Sequence, residues 1–445
     1  MNLEVMMMIR DAMDNLIKWK SKVKRKPLII HGARQVGKTW LMKRFGEQHY
    51  KKVAYINFEY NQRATGLFKG NLDIDSIIMG LKIETGIDID QDHTLIIFDE
   101  IQECPRALTS LKYFNEQAPG YHILAAGSLL GVFLHQGTSF PVGKVEFMNL
   151  YPMNYLEFLN AVGETELREL ILKKNTEMIT AFKDRYTSLL RVYYFVGGMP
   201  EAVAEYAQNK DLKEVRRIQK NILSAYEQDF SKHAPGIIVS RIRMLWNSIP
   251  GQLSKENRKF IYGQIKSGAR AKDYETALTW LEDSGLILKI NRIKKPHHPL
   301  SSYVDSGAFK IFLLDVGLLG ALCEIDPKII LDGSRLFTEF KGALTEQYVL
   351  QQLKSFYDLS VYYWTADKGT AEVDFVLSMG DQILPIEVKA KENVKAKSLK
   401  SYYEKYQPRK SVRMSMSNYR EDDWLINIPL YFIPKLEDST FSIHP

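Results

Sequence analysis

The stretch that most constrains the fold of this chain is LIIHGARQVGKT, residues 28–39. Gly32, Gly37, Lys38 and Thr39 match the pattern G-x-x-x-x-G-K-[ST], and an apolar run precedes it while a helical apolar spacing follows it. A strand, a glycine-rich loop and a helix in this order let backbone N–H groups surround phosphates at a helix N-terminus. The pattern predicts an α/β fold with a nucleotide site, and a chance glycine turn is the weaker alternative.

The loop residues have separate expected roles. Lys38 is expected to contact the β- and γ-phosphates and Thr39 to hold Mg²⁺. The guanine-reading pattern N-K-x-D is absent, because QNKDL at 208–212 has the wrong spacing, and this favours ATP as the nucleotide. The predicted nucleotide-binding residues are Gly32, Ala33, Arg34, Gln35, Val36, Gly37, Lys38, Thr39 and Trp40.

Two further apolar runs end in polar residues that suit this site. TLIIFDEIQECP at 94–105 predicts a buried strand ending at Asp99, a Mg²⁺ ligand, and Glu100, a general base for water. YHILAAGSLL at 121–130 predicts another strand, which ends near Ser128. Ligands of open α/β sheets lie at the strand C-termini, so Ser128 is expected at the γ-phosphate or the attacking water, with a helix N-cap as the alternative. Glu100, Lys38 and Ser128 form the predicted catalytic set.

Length, charge and cysteine content set broader limits. The 445 residues predict two to four domains. Two separated cysteines fit no metal spacing and predict a reduced, cytoplasmic setting. The N-terminus has no signal-peptide pattern, and no run of 18 apolar residues predicts a membrane span. A net charge of +7 permits nucleic-acid binding but does not argue for it alone.

The middle of the chain has a helical pattern. Gly197-Gly198 before Pro200 predicts a tight joint between two helices, favoured over a nucleotide contact. Residues 253–294 predict a helix over LSKENRKFIYGQIKSG, a second helix over AKDYETALTWLEDSG and a strand, as in a winged helix. The acidic exposed face of the second helix would repel phosphates, whereas the strand side is basic, so DNA-binding and purely structural interpretations stay balanced. The acids are Asp273, Glu275, Glu282 and Asp283, and the bases are Lys289, Arg292, Lys294 and Lys295.

A second candidate site lies in AEVDFVLSMGDQILPIEVKA, residues 371–390. The element order from residue 337 onward reads α-β-β-β-α-β, and the period-two alternation of strands puts Glu387 and Lys389 on one face. If the strands pair as an antiparallel hairpin, Asp374 meets Glu387 and the two carboxylates can hold Mg²⁺, with Lys389 and the helix residue Glu346 in support. The alternative is an amphipathic hairpin with a solvated face.

The motifs together resemble a prokaryotic family of AAA+ ATPases that carry a C-terminal domain of unknown function. The resemblance rests on GARQVGKT, IIFDEIQ, AAGSLL, LYPMNYLEF, FVGGMPEAV, LLDVGLL, GALTEQYV, YWTADKGTAEVDFV and IEVKA. It implies a P-loop AAA+ core with a helical lid, a winged-helix domain and a C-terminal PD-(D/E)xK nuclease-like α/β domain. The expected domains are 1–160, 161–240, 241–330 and 331–445, in that order. ATP and Mg²⁺ are the implied cofactors.

One departure from the family concerns the arginine finger. The chain has Gly143-Lys144-Val145 where the family usually has Gly-Arg-Val, and lysine keeps the charge but loses the planar fork. This weakens an arginine-finger role, in cis or in trans within a homo-oligomer, and leaves Arg106 as an alternative. Three functions stay open: an ATP-driven enzyme acting on DNA or RNA, a nucleotide-dependent signalling switch whose C-terminal domains dock a partner, and a remodeller of proteins. None of them involves a membrane.

Overall fold

A computed structural model describes residues 8–128, 131, 141–254, 259–328, 338–366, 370–390 and 396–437, and side chains within the helix that begins at Thr338 are described from residue 341. These residues form two compact units. Ile9–Tyr151 with Asp283–Leu286 make the N-terminal unit, and Pro152–Glu282 with the described residues from Ile287 onward make most of the C-terminal unit. The finer division into four domains stays a prediction.

The N-terminal unit is built on a parallel five-stranded sheet in the order β2-β3-β4-β1-β5. Its strands are β1 Leu28–His31, β2 Lys52–Asn57, β3 Thr94–Asp99, β4 His122–Gly127 and β5 Glu146–Asn149. Its helices are α1 Ala12–Ser21, α2 Lys38–His49, α3 Gln62–Gly66, α4 Ile74–Thr85 and α5 Pro105–Gln117, and Ile101–Glu103 form a 3₁₀ turn. Because all strands are parallel, β1, β3 and β4 end at the same edge of the sheet. The α/β fold predicted from the sequence is confirmed.

The buried strands of this sheet follow from their composition. β3 is buried at every residue, which is typical of parallel strands covered on both faces. Phe98 packs against Phe58 and Phe68 with ring centroids 5.5 and 5.8 Å apart. This core holds the end of β3, and therefore Asp99, in a fixed position.

The C-terminal unit begins with a series of helices and ends in a large mixed sheet. The helices are α6 Tyr155–Ala161, α7 Thr165–Leu172, α8 Thr176–Ala181, α9 Lys183–Val196, α10 Pro200–Asn209, α11 Leu212–His233, α12 Gly236–Leu253, α13 Ala271–Asp283, α14 Val316–Leu322, α15 Thr338–Tyr357 and α16 Lys397–Tyr406. Short 3₁₀ segments cover Tyr262–Gln264, Leu300–Tyr303 and Leu430–Leu436. In the parts of the chain that the structure describes, no helix is long and apolar enough to cross a bilayer.

The mixed sheet has eight strands in the order β12-β13-β11-β10-β9-β8-β6-β7. They are β6 Ile287–Ile293, β7 Val304–Leu313, β8 Val361–Thr365, β9 Glu372–Met379, β10 Gln382–Val388, β11 Ser411–Ser415, β12 Arg420–Glu421 and β13 Leu425–Pro429. β6 and β7 form an antiparallel hairpin, and β6 also pairs with β8 in parallel, with Asn291 opposite Tyr362. The strand that the sequence predicted as a wing is β6, which pairs with β7 in a hairpin and belongs to the same sheet as β8–β13.

The helix predicted over 253–268 does not form in the described part of that segment, so this prediction is wrong there. α12 ends at Leu253, and 255–258 lie outside the described residues. The Phe260 N–H donates to the Phe309 carbonyl at 2.8 Å, and the two rings stack 5.0 Å apart. Pairing with β7 outweighs the helical pattern, since tertiary contacts override weak local propensity. The predicted turn at 367–370 falls mostly outside the described residues, which omit 367–369.

The Gly197-Gly198 pair forms a tight joint between α9 and α10. Gly197 has φ +71° and caps α9, and Pro200 begins α10. A Cβ on Gly197 would lie 2.2 Å from Asp315 Oδ1, and one on Gly198 would lie 2.1 Å from the Met153 carbonyl oxygen. Both glycines are needed because other chain segments approach their backbone closely.

Candidate nucleotide site

The predicted phosphate loop lies between β1 and α2. Gly37 has φ +94° at the N-cap of α2, in the left-handed region that glycine adopts without strain. A Cβ on Gly32 would lie 2.3 Å from the Leu150 carbonyl oxygen. Arg10 donates to the carbonyls of Val36 and Tyr151 at 2.8 and 2.7 Å. The loop is thus held by contacts with Arg10 and Leu150.

The Lys38 ammonium is buried inside the loop. It donates to the carbonyls of Gly32 and Ala33 at 2.8 and 2.7 Å, and only 5% of the residue is exposed. Burial lowers the pKa of Lys38 to about 8, while the nearby Glu100 and Asp99 carboxylates raise it and Arg34 lowers it. A buried cation with two carbonyl partners is a site prepared for an anion that can replace them.

Three side chains meet at the end of β3. The Thr39 hydroxyl donates to Asp99 Oδ2 at 2.7 Å, and the Tyr55 hydroxyl donates to the same oxygen at 2.9 Å. Asp99 is 1% exposed, and its Oδ1 accepts from the Glu100 N–H at 3.1 Å. Thr39 and Asp99, the two predicted magnesium ligands, are therefore adjacent. Sequence reasoning missed Tyr55, although a tyrosine on the strand beside β3 was visible in VAYINF.

Glu100 lies beside this group in a strained backbone conformation. Its φ is +49°, which is uncommon for a residue other than glycine and is often found at functional sites. Glu100 Oε1 accepts from the Ser128 hydroxyl at 3.0 Å, and Oε2 accepts from Gln102 Nε2 at 2.6 Å. The predicted contact of Ser128 with a phosphate or water remains a prediction, while its contact in this structure is Glu100. The role of Gln102 was not predicted.

The residues present fit a magnesium–nucleotide complex. Phosphate is held by a buried ammonium and by the backbone N–H groups of a glycine-containing loop. A hard cation is held by oxygen ligands, such as a hydroxyl beside a carboxylate. Val36 is fully buried and Ala33 nearly so, which makes them supports of the loop, whereas Gln35 is exposed with φ +65°. Arg34 and Trp40, the two largest side chains of the predicted set besides Lys38, are half-buried.

The two arginine-finger candidates have partners within the N-terminal unit. Arg106 donates to the carbonyls of Phe68 and Gly70 at 2.5 and 2.6 Å. Lys144 forms an ion pair with Glu116 at 2.9 Å. Each contact must break before either residue could reach a nucleotide.

The second candidate site brings Asp374, Glu387 and Lys389 together. Asp374 Oδ2 accepts from the Val388 N–H at 2.7 Å, at the point where the β9–β10 pairing ends. Glu387 is 2% exposed, and its Oε1 lies 2.9 Å from Lys389 Nζ. Burial raises the pKa of Glu387, Lys389 lowers it and Asp374 raises it. Glu387 Oε2 is buried without a hydrogen-bond partner among the described residues.

Glu346 is engaged elsewhere in the C-terminal unit. It lies on α15, and its Oε2 is 3.8 Å from Lys310 Nζ. Lys310, on β7, is fully buried and pairs with Glu372. Among the described residues, no group of three or more His, Cys, Asp or Glu could hold a metal ion. The structure therefore brings two of the predicted carboxylates together and does not add Glu346 to a three-carboxylate centre.

Of the four basic residues on the strand side of the predicted wing, two have partners within the C-terminal unit and two are exposed. Lys289 lies 5.0 Å from the Phe309 ring and 4.0 Å from Glu282 Oε2. Arg292 binds Asp305, with Nε at 3.0 Å, and Thr365 at 3.2 Å. Lys294 and Lys295, by contrast, are exposed.

Comparison with known families places an ATPase domain on the first part of the chain. Residues 24–159 match the family model described as AAA domain. Residues 187–329 and 341–432 match two models described as Domain of unknown function, DUF8612 and DUF4143. The first match spans the strands and loop described above, and it supports an AAA-type ATPase domain that binds ATP. A search of curated proteins found no match.

Solved structures give weaker likenesses. A Walker-type ATPase of Pyrococcus abyssi is 15% identical, with a TM-score of 0.46, covering 71% of this chain and 96% of that one. The ORC1 protein of Aeropyrum pernix in complex with DNA is 13% identical, with a TM-score of 0.28, covering 70% and 90%. The RuvB Holliday junction branch migration motor of Thermotoga maritima is 12% identical, with a TM-score of 0.27, covering 62% and 85%. At these scores the likenesses carry no argument about function.

Proposed function

We propose that the N-terminal unit is a Mg²⁺-dependent ATPase and that the C-terminal unit binds nucleic acid in a manner linked to the nucleotide state. The observation that carries the ATPase proposal is the joining of Lys38, Thr39, Asp99, Glu100 and Ser128 at the carboxyl edge of one parallel sheet. When bound, Mg²⁺–ATP would supply the phosphoryl group and the charge neutralisation for its transfer to water.

The chain's own residues then have distinct tasks. Lys38 would exchange its two carbonyl partners for phosphate oxygens, and Thr39 and Asp99 would hold the cation. Glu100 accepts a proton from water, and the donors Ser128 and Gln102 keep its carboxylate in place. Two side-chain donors restrict the orientation of this general base, so that its carboxylate can accept a proton from a water molecule in one position only.

The ATPase proposal is tested with two substitutions. Lys38→Ala should abolish ATP binding measured by calorimetry. Glu100→Gln should keep binding and lower turnover by about 10²–10⁴-fold, the usual contribution of a general base. Glu103→Gln, an exposed residue of the neighbouring 3₁₀ turn, is the matched control. Normal turnover in Lys38→Ala would exclude this nucleotide site.

The second candidate function is metal-dependent cleavage of a phosphodiester by Asp374, Glu387 and Lys389 within a PD-(D/E)xK-like domain. Glu387 Oε2, buried without a hydrogen-bond partner among the described residues, favours it, because a cation would satisfy that oxygen. The competing proposal is an inactive docking module, as in a signalling switch or protein remodeller, and the lack of a three-carboxylate centre among the described residues favours that.

Cleavage assays separate these two candidates. Wild type should nick DNA or RNA with Mg²⁺ or Mn²⁺, and Asp374→Asn and Glu387→Gln should not. Equal cleavage by wild type and both variants would mean that a contaminating nuclease, and not this site, cuts the nucleic acid. No cleavage with retained nucleic-acid binding leaves the docking module as the function of this domain. We also propose that α13 and the β6–β7 hairpin form a winged helix. Assembly of the chain into a homo-oligomer is part of the same proposal.

A further inference from the structure

The C-terminal unit carries a basic surface made of residues that belong to neither candidate site. This surface is made by the loop 294–299, the helix α16 and Arg409, and we call it the basic groove. The His297 ring lies 6.4 Å from the Tyr406 ring, which joins the loop to the helix. Pro296, His298, Tyr406, Arg409 and the acidic Asp381 are among the residues that line one cavity of about 200 Å³. The exposed cations of the basic groove are Lys294, Lys295, Lys397, Lys400, Lys405 and Arg409.

Most of these cations are available to an anionic ligand. Within the described residues, no carboxylate lies within 4.0 Å of Lys294, Lys295, Lys397 or Lys405, whereas Lys400 is 4.0 Å from Glu404 and Arg409 is 3.2 Å from Asp381. Both of those pairs are exposed, and exposed pairs exchange readily with a competing anion. This availability contrasts with Lys289 and Arg292 on β6, which have partners inside the C-terminal unit.

Rings accompany the cations. Tyr406 is half-buried, Lys405 Nζ lies 5.0 Å from its ring, the exposed His297 ring lies 6.4 Å from it, and the exposed His298 lines the same cavity. A row of cations alone recognises any polyanion, but cations with accessible rings suit an unpaired nucleic-acid strand, whose phosphates and bases meet the two kinds of group. No large exposed hydrophobic residue belongs to the described part of the basic groove, which argues against insertion into a bilayer.

We infer that the basic groove binds single-stranded nucleic acid, with phosphates on Lys294, Lys295 and Lys405 and a base against Tyr406. The inference rests on the proposed nucleic-acid function and gives it a surface. It moves the contact from the acidic helix α13 to the loop after β6 and the helix α16. Phosphate contacts of this kind give affinity without reading sequence.

The test uses the full chain and a labelled oligothymidylate of about 16 nucleotides, the upper end of the site size of a single-strand binding domain. Lys294→Ala/Lys295→Ala should weaken binding about tenfold and make the slope of log K against log salt shallower by about 1.4, since each single-strand phosphate contact contributes about 0.7. Lys213→Ala/Lys220→Ala removes two exposed lysines of α11 and should change neither value. Tyr406→Leu should weaken binding about tenfold without a change of slope.

The outcomes separate the inference from the function on which it rests. If the wild-type protein binds neither DNA nor RNA at low salt, the proposed nucleic-acid function is wrong. If wild type binds and the groove variants bind equally well with unchanged melting temperatures, only this inference fails. Tighter binding of duplex, or equal competition by polyglutamate or phosphatidylserine vesicles, also overturns it. An oligouridylate arm shows whether the strand is DNA or RNA, and preference for either one supports the inference.

Discussion

Tyr55 and Asp99 share a hydrogen bond at the carboxylate oxygen that also contacts Thr39. The bond spans β2 and β3, which pair in parallel with Asn57 opposite Asp99. Burial raises the pKa of Tyr55 to about 12, with Asn57 lowering it and Asp99 raising it, so the phenol stays a donor at neutral pH. Tyr55 therefore orients the carboxylate proposed to hold Mg²⁺.

Removing this donor should weaken magnesium binding. In Tyr55→Phe the midpoint of the Mg²⁺ dependence of ATP turnover should rise about tenfold, the usual effect of losing a residue that orients a metal ligand. ATP binding measured without Mg²⁺ should not change. Tyr60→Phe, at an exposed tyrosine nearby in sequence, serves as the control. An unaltered midpoint in Tyr55→Phe would mean that the hydrogen bond has no part in cation binding.

The lowered pKa of Lys38, about 8 in the free protein, predicts a pH dependence of ATP binding. Phosphates raise the pKa of a bound lysine, so binding takes up a proton once the free protein has lost one. The affinity should be constant between about pH 7, where the terminal phosphate is ionised, and pH 8, and it should fall above pH 8 by up to about tenfold per pH unit. Calorimetry in buffers of different ionisation enthalpy measures this uptake.

Lys38→Arg provides the control for that experiment, because arginine keeps its proton throughout the range. Whatever affinity this variant retains should be flat between pH 7 and 10. A wild-type affinity that is equally flat would show that Lys38 stays protonated in the free protein.

Asp315 should be a major contributor to the stability of the C-terminal unit. Its buried carboxylate accepts from the N–H groups of Gly198 and Leu318 at 2.6 and 3.0 Å and from Gln351 Nε2 at 2.9 Å. Asp315→Ala leaves these donors without an acceptor and should lower the free energy of unfolding by about 3 kcal/mol. Glu227→Ala, at an exposed position of α11, should change it by less than about 0.5 kcal/mol.

Urea denaturation followed by tryptophan fluorescence can measure both variants, since Trp246, Trp280 and Trp364 are buried in the C-terminal unit. A loss of stability in Asp315→Ala no larger than in Glu227→Ala would contradict the assigned network.

The stability lost on replacing Lys310 should be partly restored by also replacing its partner Glu372. Lys310 is fully buried and pairs with Glu372, and its ammonium is 3.8 Å from Glu346 Oε2. Lys310→Met should cost about 3–5 kcal/mol of unfolding free energy, because buried carboxylates lose their cation. Adding Glu372→Gln should recover a large part of that loss. Equal stability of the single and double variants would show that the two charges are not coupled.

The sequence predicts the order of contiguous elements in this protein, while the roles of the candidate site residues stay predictions. Lys38, Thr39 and Asp99 follow from short motifs whose strand and loop context is visible locally, and the α-β-β-β-α-β order from α15 to β11 is present in the structure. Glu387 and Lys389 share a face because strands alternate with period two. These inferences need no knowledge of which distant segments meet.

Features that depend on distant pairing were missed. Lys310 reaches Glu372 only because β7, β6, β8 and β9 lie side by side, and no local pattern indicates that order. The parallel pairing of β6 with β8 joins segments separated by α14 and α15. The helix predicted over 253–268 failed for the same reason, because Phe260 contacts a strand that lies far along the chain.

The continuous sheet has a mechanical consequence for the C-terminal unit. Backbone hydrogen bonds run from β7 through β6 and β8 to β10, so the hairpin 287–313 and the strands bearing Asp374 and Glu387 are one stiff plate rather than two bodies on a tether. A displacement of β7 is therefore passed on to β10 through the hydrogen bonds between neighbouring strands. Any motion coupled to the nucleotide cycle would therefore turn the hairpin and the carboxylate strands together, as a lever does.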